Sequence, residues 1–189
     1  LGASRHHDSA GVARPLTAGT GPWAAHGAWV FDFLRRQGLQ PSQYVLEVGC
    51  GSLAAAARLL PYMEQSHYWG FDRNPDLFVA GVQVELPRVG VRPERGHFVL
   101  NDDFDLTGIP HTFDIAISSL FLRRLTLNSI ARCFASVLRA LSPGGRFFVT
   151  WPEVEGDAGG ARVTGRSSRR NKGRSRRWLW RRKAAFGRW

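Results

Sequence analysis

A short β-prone run, Tyr44-Val45-Leu46-Glu47-Val48, ends in Gly49-Cys50-Gly51, and an Ala- and Leu-rich helical segment follows over residues 52–64. The glycines let the backbone turn tightly and let a ligand approach without meeting a Cβ. Pro61 is expected to kink this helix or end it early. Strand, glycine turn and helix in that order open a βαβ unit, in which the next strand lies parallel to the first.

The rest of the chain repeats the alternation. Residues 23–37 read as a helix with Trp29, Val30, Phe33 and Leu34 on its apolar stripe, stopped by Gly38 ahead of Pro41. His67-Tyr68-Trp69-Gly70-Phe71 is a second strand, ending at Asp72. Asn74-Pro75-Asp76 opens a helix to about Leu86: a cap, a proline in the first turn and an acid behind it. Residues 97–100 form a third strand and residues 113–118 a fourth. Residues 128–141 place Ile130, Phe134, Val137, Leu138 and Leu141 on one helical face. Ser142-Pro143-Gly144-Gly145 is a turn into a fifth strand, residues 146–151. The predicted class is α/β, a doubly wound, mostly parallel sheet. Ligands of such sheets bind beyond the carboxyl ends of the strands, where the two glycines, Asp72, Asp102 and Ser118 all fall.

Charge divides the 189 residues sharply. Residues 1–155 hold 14 Arg against 14 Asp or Glu, whereas residues 156–189 hold 12 Lys or Arg against one acid, Asp157, so the whole net charge of +11 lies in that last segment. The pattern predicts a flexible arm at 1–21, a neutral domain at 22–155 and a basic, disordered tail at 156–189. Nothing in the tail reads as a strand. It can bind nucleic acid through phosphates and Trp stacking, lie on a membrane surface, or be sequence foreign to a truncated domain. No run of 18 apolar residues exists, so no transmembrane helix is expected. The N-terminal residues lack the apolar segment of a secretory signal, and two cysteines make no disulfide framework, so a cytoplasmic setting is expected. No Cys/His spacing suits zinc and no metal is expected. The sequence leaves the oligomeric state open.

The chemistry gathers at the strand ends. Asp72 lies 21 residues past Gly51, where a carboxylate can accept from both hydroxyls of a ribose. Gly49-x-Gly51-x-x-Ala54 with Asp72 also satisfies a dinucleotide fingerprint, which keeps a nicotinamide-dependent oxidoreductase open. Glu47 argues against it: a carboxylate two residues before the first glycine suits a cationic amino group and repels a pyrophosphate.

Residues 45–53, Val-Leu-Glu-Val-Gly-Cys-Gly-Ser-Leu, resemble motif I of the class I S-adenosylmethionine-dependent methyltransferases. Tyr68-Trp69-Gly70-Phe71-Asp72 resembles their second strand, and residues 99–104 and 112–116 their third and fourth. Ser142-Pro143-Gly144-Gly145 resembles the turn before their fifth strand. The resemblance covers about two-thirds of the chain and implies S-adenosyl-L-methionine as cofactor. By matched position, Glu47, Gly49, Cys50 and Gly51 surround its methionine part, and Asp72 with Arg73 takes the ribose. Asp102 and Asp103 read the adenine edge, Phe104 packs on the ring, and Ser118 closes the site. The family's sheet normally ends in a sixth and an antiparallel seventh strand, so this chain is expected to be C-terminally incomplete, with the edge of the fifth strand exposed.

Two departures bear on mechanism. Leu53-Ala54-Ala55-Ala56 stands where relatives carry Leu-Arg-(Gly or Ala)-Gly. Leu122-Arg123-Arg124-Leu125 stands where they often carry Phe-Thr-His-Leu, and a guanidinium cannot replace a histidine as proton acceptor. Arg123 and Arg124 can instead hold an anionic substrate. His26, His97 and His111 are ionisable candidates with no motif behind them, and no catalytic residue follows from the sequence. The function implied is methyl transfer to a small-molecule or glycan-type acceptor. The alternative is a non-catalytic, truncated protein of this fold whose basic tail binds nucleic acid or an anionic surface.

Overall fold

A computed structural model describes residues 22–152 and 178–182. The expected arm at 1–21 and most of the expected tail lie outside these residues. Helix α1 (Pro22–Arg36) leads into β1 (Val45–Val48), then α2 (Ala56–Tyr62) and β2 (Tyr68–Asp72). Helix α3 (Pro75–Ala80) widens through one π turn, Gly81–Glu85, into the short α4 (Leu86–Arg88). Strands β3 (His97–Leu100) and β4 (Phe113–Ser118), helix α5 (Leu127–Ala140) and strand β5 (Leu141–Pro152) follow.

The five strands are parallel in the order β3-β2-β1-β4-β5. The chain walks outward from β1 to β3 and then crosses back to β4 on the other side of β1. That reversal opens a crevice at the carboxyl ends of β1 and β4. Side-chain alternation sorts the core into two layers. Val45, Tyr68, Ile115, Ile117 and Phe148 pack on one face with α1, α2 and the α3–α4 segment. Leu46, Val48, Phe71, Ala116 and Phe147 pack on the other with α5. Between β3 and β4 there is no helix, and Phe104, Leu106 and Ile109 cover that part of the second layer instead.

The caps follow the sequence. Asn74 Oδ1 accepts from the N–H groups of Asp76 and Leu77, and Thr126 Oγ1 accepts from Ser129. Arg95 donates to the carbonyls of Leu60 and Met63 and so satisfies the end of α2, whose last turn contains Pro61.

Three expectations change. Helix α2 starts at Ala56 rather than at Ser52, because a tight turn carries Leu53 at φ 64° before the helix can begin. The expected Ser142–Gly145 turn is a wide irregularity inside β5: Phe113 pairs with Leu141, but Ile115 pairs with Arg146. The tail, read as carrying no strand, contributes β6 (Trp178–Arg182), antiparallel to β5 from Phe148 to Pro152. Trp178-Leu179-Trp180 is β-prone, and the free backbone groups of β5 offer it a ladder. The edge expected to be exposed is therefore paired.

One close approach fixes α1. A Cβ on Gly27 would stand 2.2 Å from the carbonyl oxygen of Ala54. Gly27→Ala is expected to push α1 off the glycine loop and to destabilise the protein by ~1–3 kcal/mol, read as a lower midpoint in urea.

Candidate cofactor and acceptor site

A cleft of about 550 Å³ opens at the crevice, lined by Gly49, Gly51, Ser52, Asp72, Arg73, Asn74, Pro75, Leu77, Ser119, Leu120, Phe121, Arg124 and Leu125. Its residues come from the ends of β2, β1 and β4, which are neighbours in the sheet in that order. Neighbouring strands stand about 4.8 Å apart, so the ends of β2 and β4 are separated by about 10 Å. The cleft thus runs as a row: Asp72, the glycine loop, Ser119.

Asp72 is 4% exposed and organises the first half of that row. Its Oδ2 accepts from Gly51 N at 2.7 Å, and its Oδ1 accepts from Arg73 N at 2.8 Å and Asn74 N at 2.9 Å. A carboxylate offers about four lone-pair positions. One holds the glycine loop, two hold the turn after β2, and one is left for a ligand hydroxyl. Gly49, at φ 88°, accepts the Phe121 side chain directly against its Cα, where a Cβ would stand 2.3 Å from the Phe121 ring. At Gly51 a Cβ would meet nothing nearer than 3.9 Å, so the loop leaves open space on its cleft side.

The turn after β4 is equally constrained. Leu120 holds φ 63°, and its N–H donates to Oγ1 of the buried Thr150 at 2.8 Å. That bond sets Ser119 and Phe121 on the cleft wall. Ser119 Oγ lies 3.0 Å from His26 Nε2, a contact that spans 93 residues of sequence and brings α1 to the site. Burial, and then the charge of Arg123, hold the His26 imidazole below its ordinary 6.5, so it is neutral at pH 7.

The structure brings Gly49, Gly51, Asp72, Arg73 and Arg124 to the cleft and leaves the other predicted residues off its lining. Glu47 lies among the buried residues, 6% exposed, and accepts from Tyr68 Oη at 2.6 Å. Burial pushes its carboxyl up to about 8 against the pull of that hydrogen bond, and the nearby Asp72 charge adds to the rise. At neutral pH Glu47 is a protonated acid, not the anion the sequence suggested. The Cys50 thiol is buried and raised by the same desolvation. Ser118 is buried, and its Oγ finds no partner among the described residues. Asp102 and Asp103 are exposed beyond the end of β3, one strand further out than Asp72. Phe104, 3% exposed, packs its ring 5.5 Å from that of Phe71, which gives it to the core. Arg123 is not part of the lining, and its charge acts on His26.

The residues present fit a nucleoside carrying a flexible, amphiphilic arm. They offer one free carboxylate position beside an open glycine loop, with an apolar wall of Leu77, Leu120, Phe121 and Leu125. A family described as "Methyltransferase domain" matches residues 46–147. The chain belongs to that family. It has the class I fold of S-adenosylmethionine-dependent methyltransferases, with that compound as cofactor. It is 31% identical over 122 residues to the 18S rRNA (guanine(1575)-N(7))-methyltransferase of Saccharomyces cerevisiae, covering 58% of this chain and 40% of that protein. The chain therefore spans about two-fifths of the length of that relative. Among solved structures it superposes on the magnesium protoporphyrin IX methyltransferase of Synechocystis PCC 6803, determined with bound SAH. There the TM-score is 0.56 and the identity 16%, over 68% of this chain and 55% of that one. An S-adenosylmethionine-dependent methyltransferase from Clostridium acetobutylicum gives a TM-score of 0.56 at 16% identity, over 76% and 56%.

Glu47 yields a test of this site. Its carboxyl keeps a proton to about pH 8 in the folded protein and to about 4.5 when unfolded. Between these values the native state binds more protons, so stability falls as pH rises and levels off above 8, by on the order of 5 kcal/mol. Glu47→Gln should keep the Tyr68 hydrogen bond, flatten that slope and be more stable than the parent at pH 8.5, read by thermal melts across pH 5–9.

Proposed function

We propose that this methyltransferase methylates a small-molecule or glycan-type acceptor carrying an anionic group. The observation that carries the reading is the composition of the cleft. Arg73 and Arg124 both line it, and the one carboxylate in the lining, Asp72, is engaged with the loop. Among the described residues neither arginine has an ion-pair partner. Two guanidiniums in one concave site favour a carboxylate or phosphate.

On this reading the parts follow the row of strand ends. Asp72 takes a ribose hydroxyl, with Arg73 alongside, and Asp102 and Asp103 stand on the adenine side. The glycine loop and Phe121 flank the methionine arm, and Ser119 and Arg124 face the acceptor. When bound, S-adenosylmethionine supplies a methyl group already activated by the positive sulfur. The protein's own contribution is to orient the acceptor, exclude water with the apolar wall and receive a proton. A cytoplasmic setting belongs to the same proposal, supported by the free thiols of Cys50 and Cys133.

A second reading, an RNA base as acceptor, is favoured by the relative that acts on ribosomal RNA and by the charge of +11. The two separate on substrate and salt. Calorimetry should give micromolar binding of S-adenosylhomocysteine, weakened at least ~10-fold by Asp72→Asn through loss of a charged acceptor. Radiolabelled methyl transfer is then measured to hydroxybenzoates, to amino-sugar phosphates and to a ribosomal RNA fragment. Turnover on the small anions, with KM raised ~10-fold or more by Arg124→Ala, is the expected outcome. Turnover only on RNA, with a steep fall in affinity as salt rises, would replace it by the second reading.

A further inference from the structure

We propose that Ser119 and His26 form a proton relay that deprotonates the acceptor. The inference rests on the methyl-transfer reading above but draws on a different part of the molecule. Ser119 is the first residue after β4 and lines the cleft at the acceptor end of the row. Its hydroxyl is 3.0 Å from His26 Nε2. His26 reaches it from α1, which stands this close to the loop because Gly27 lets the helix backbone meet Ala54.

Other bases near the cleft fail on chemistry. Arg73 and Arg124 stay protonated. The Asp72 carboxylate is committed to three N–H groups. Glu47 and Cys50 do not line the cleft, and at neutral pH Glu47 holds its own proton and accepts a hydrogen bond from Tyr68. His67, His97 and His111 cluster with Tyr44 and Trp69, at or before the first residues of the strands and thus at the opposite end of the sheet. Among the described residues at the cleft His26 remains, and its surroundings keep it ready to accept. Trp29 of its own helix lies 5.7 Å away, and burial together with the charge of Arg123, from the turn after β4, acts on it.

The step balances without any further reagent. With His26 carrying its proton on Nδ1, Ser119 donates to Nε2 and its oxygen lone pairs are free for the acceptor. As the acceptor's heteroatom bonds to the methyl carbon, the carbon–sulfur bond breaks and its electron pair stays on sulfur. The acceptor's proton passes to Ser119 Oγ, whose own proton passes to Nε2. The imidazolium, beside Arg123, then returns its proton to solvent. Ser119 is the residue that touches the acceptor, and His26 acts through it.

The test uses the full chain, S-adenosylhomocysteine as probe and the imidazole resonances of His26 read by NMR. The relay predicts that His26 titrates below 6.5, carries its proton on Nδ1 when neutral and shifts on saturation with S-adenosylhomocysteine. Ser119→Ala should alter that titration, and Arg123→Gln should raise it toward 6.5. On an acceptor taken from the small-anion panel, His26→Gln should cut kcat ~10²–10⁴-fold at neutral pH. It should also remove the acid limb of the pH profile and leave the affinity for S-adenosylhomocysteine within about 3-fold. Failure of S-adenosylhomocysteine to bind the parent chain would sink the methyl-transfer reading itself. Binding with a His26 signal that ignores both the probe and Ser119→Ala would overturn the relay alone, as would an unchanged pH profile in His26→Gln.

Discussion

Close packing around the loop from Cys50 to Ala54 is the constraint on which the site rests. Three elements press on this short stretch with glycines. Gly27 of α1 meets the carbonyl of Ala54, and Gly81 of the π turn meets the carbonyl of Ser52. Gly70 of β2 meets Cys50 Sγ, where a Cβ would stand only 3.0 Å away. At Gly27 and Gly81 a side chain would force the backbone apart, at Gly70 it would displace the Cys50 and Phe98 side chains, and interiors packed at crystal density transmit such shifts. Asp72 completes the clamp from the fourth side by binding Gly51 N. The loop is held from outside and is therefore preorganised before any ligand arrives, which lowers the ordering cost of binding. Strained residues mark the same region: Leu53, in the turn after β1, and Leu120, on the cleft wall after β4, are both at positive φ.

Much of this was legible from residues alone. The strand–glycine–helix run at 44–64 and the acid at Asp72 are local signals, with each residue's role set by near neighbours. So are the Asn74 cap and the strand–helix alternation that makes the sheet parallel. What stayed hidden depends on distance in sequence. His26 has no motif around it, and its meeting with Ser119 is produced by helix packing across 93 residues. The protonation of Glu47 was missed because type and spacing say nothing of burial, which here outweighs the Tyr68 hydrogen bond. Strand β6 was missed because a segment so rich in Arg and Trp shows no period of its own. It becomes a strand by pairing with β5.

The charges of the cleft make sense together on the proposed chemistry. A sulfonium carries a full positive charge that disappears as its methyl group leaves. An environment that favours the charged starting state would slow that loss, and one that favours neutralisation would speed it. The acid beneath the glycine loop, Glu47, is neutral at pH 7, and the Asp72 carboxylate is largely spent on backbone N–H groups. Arg73 and Arg124 add positive charge to the lining. The anion of the proposed acceptor offsets these two guanidiniums, so cofactor and acceptor are each better tolerated with the other present. Methyl transfer then discharges the sulfur inside a site that has little negative charge left to hold it. The product thioether, being neutral, loses nothing by that deficit.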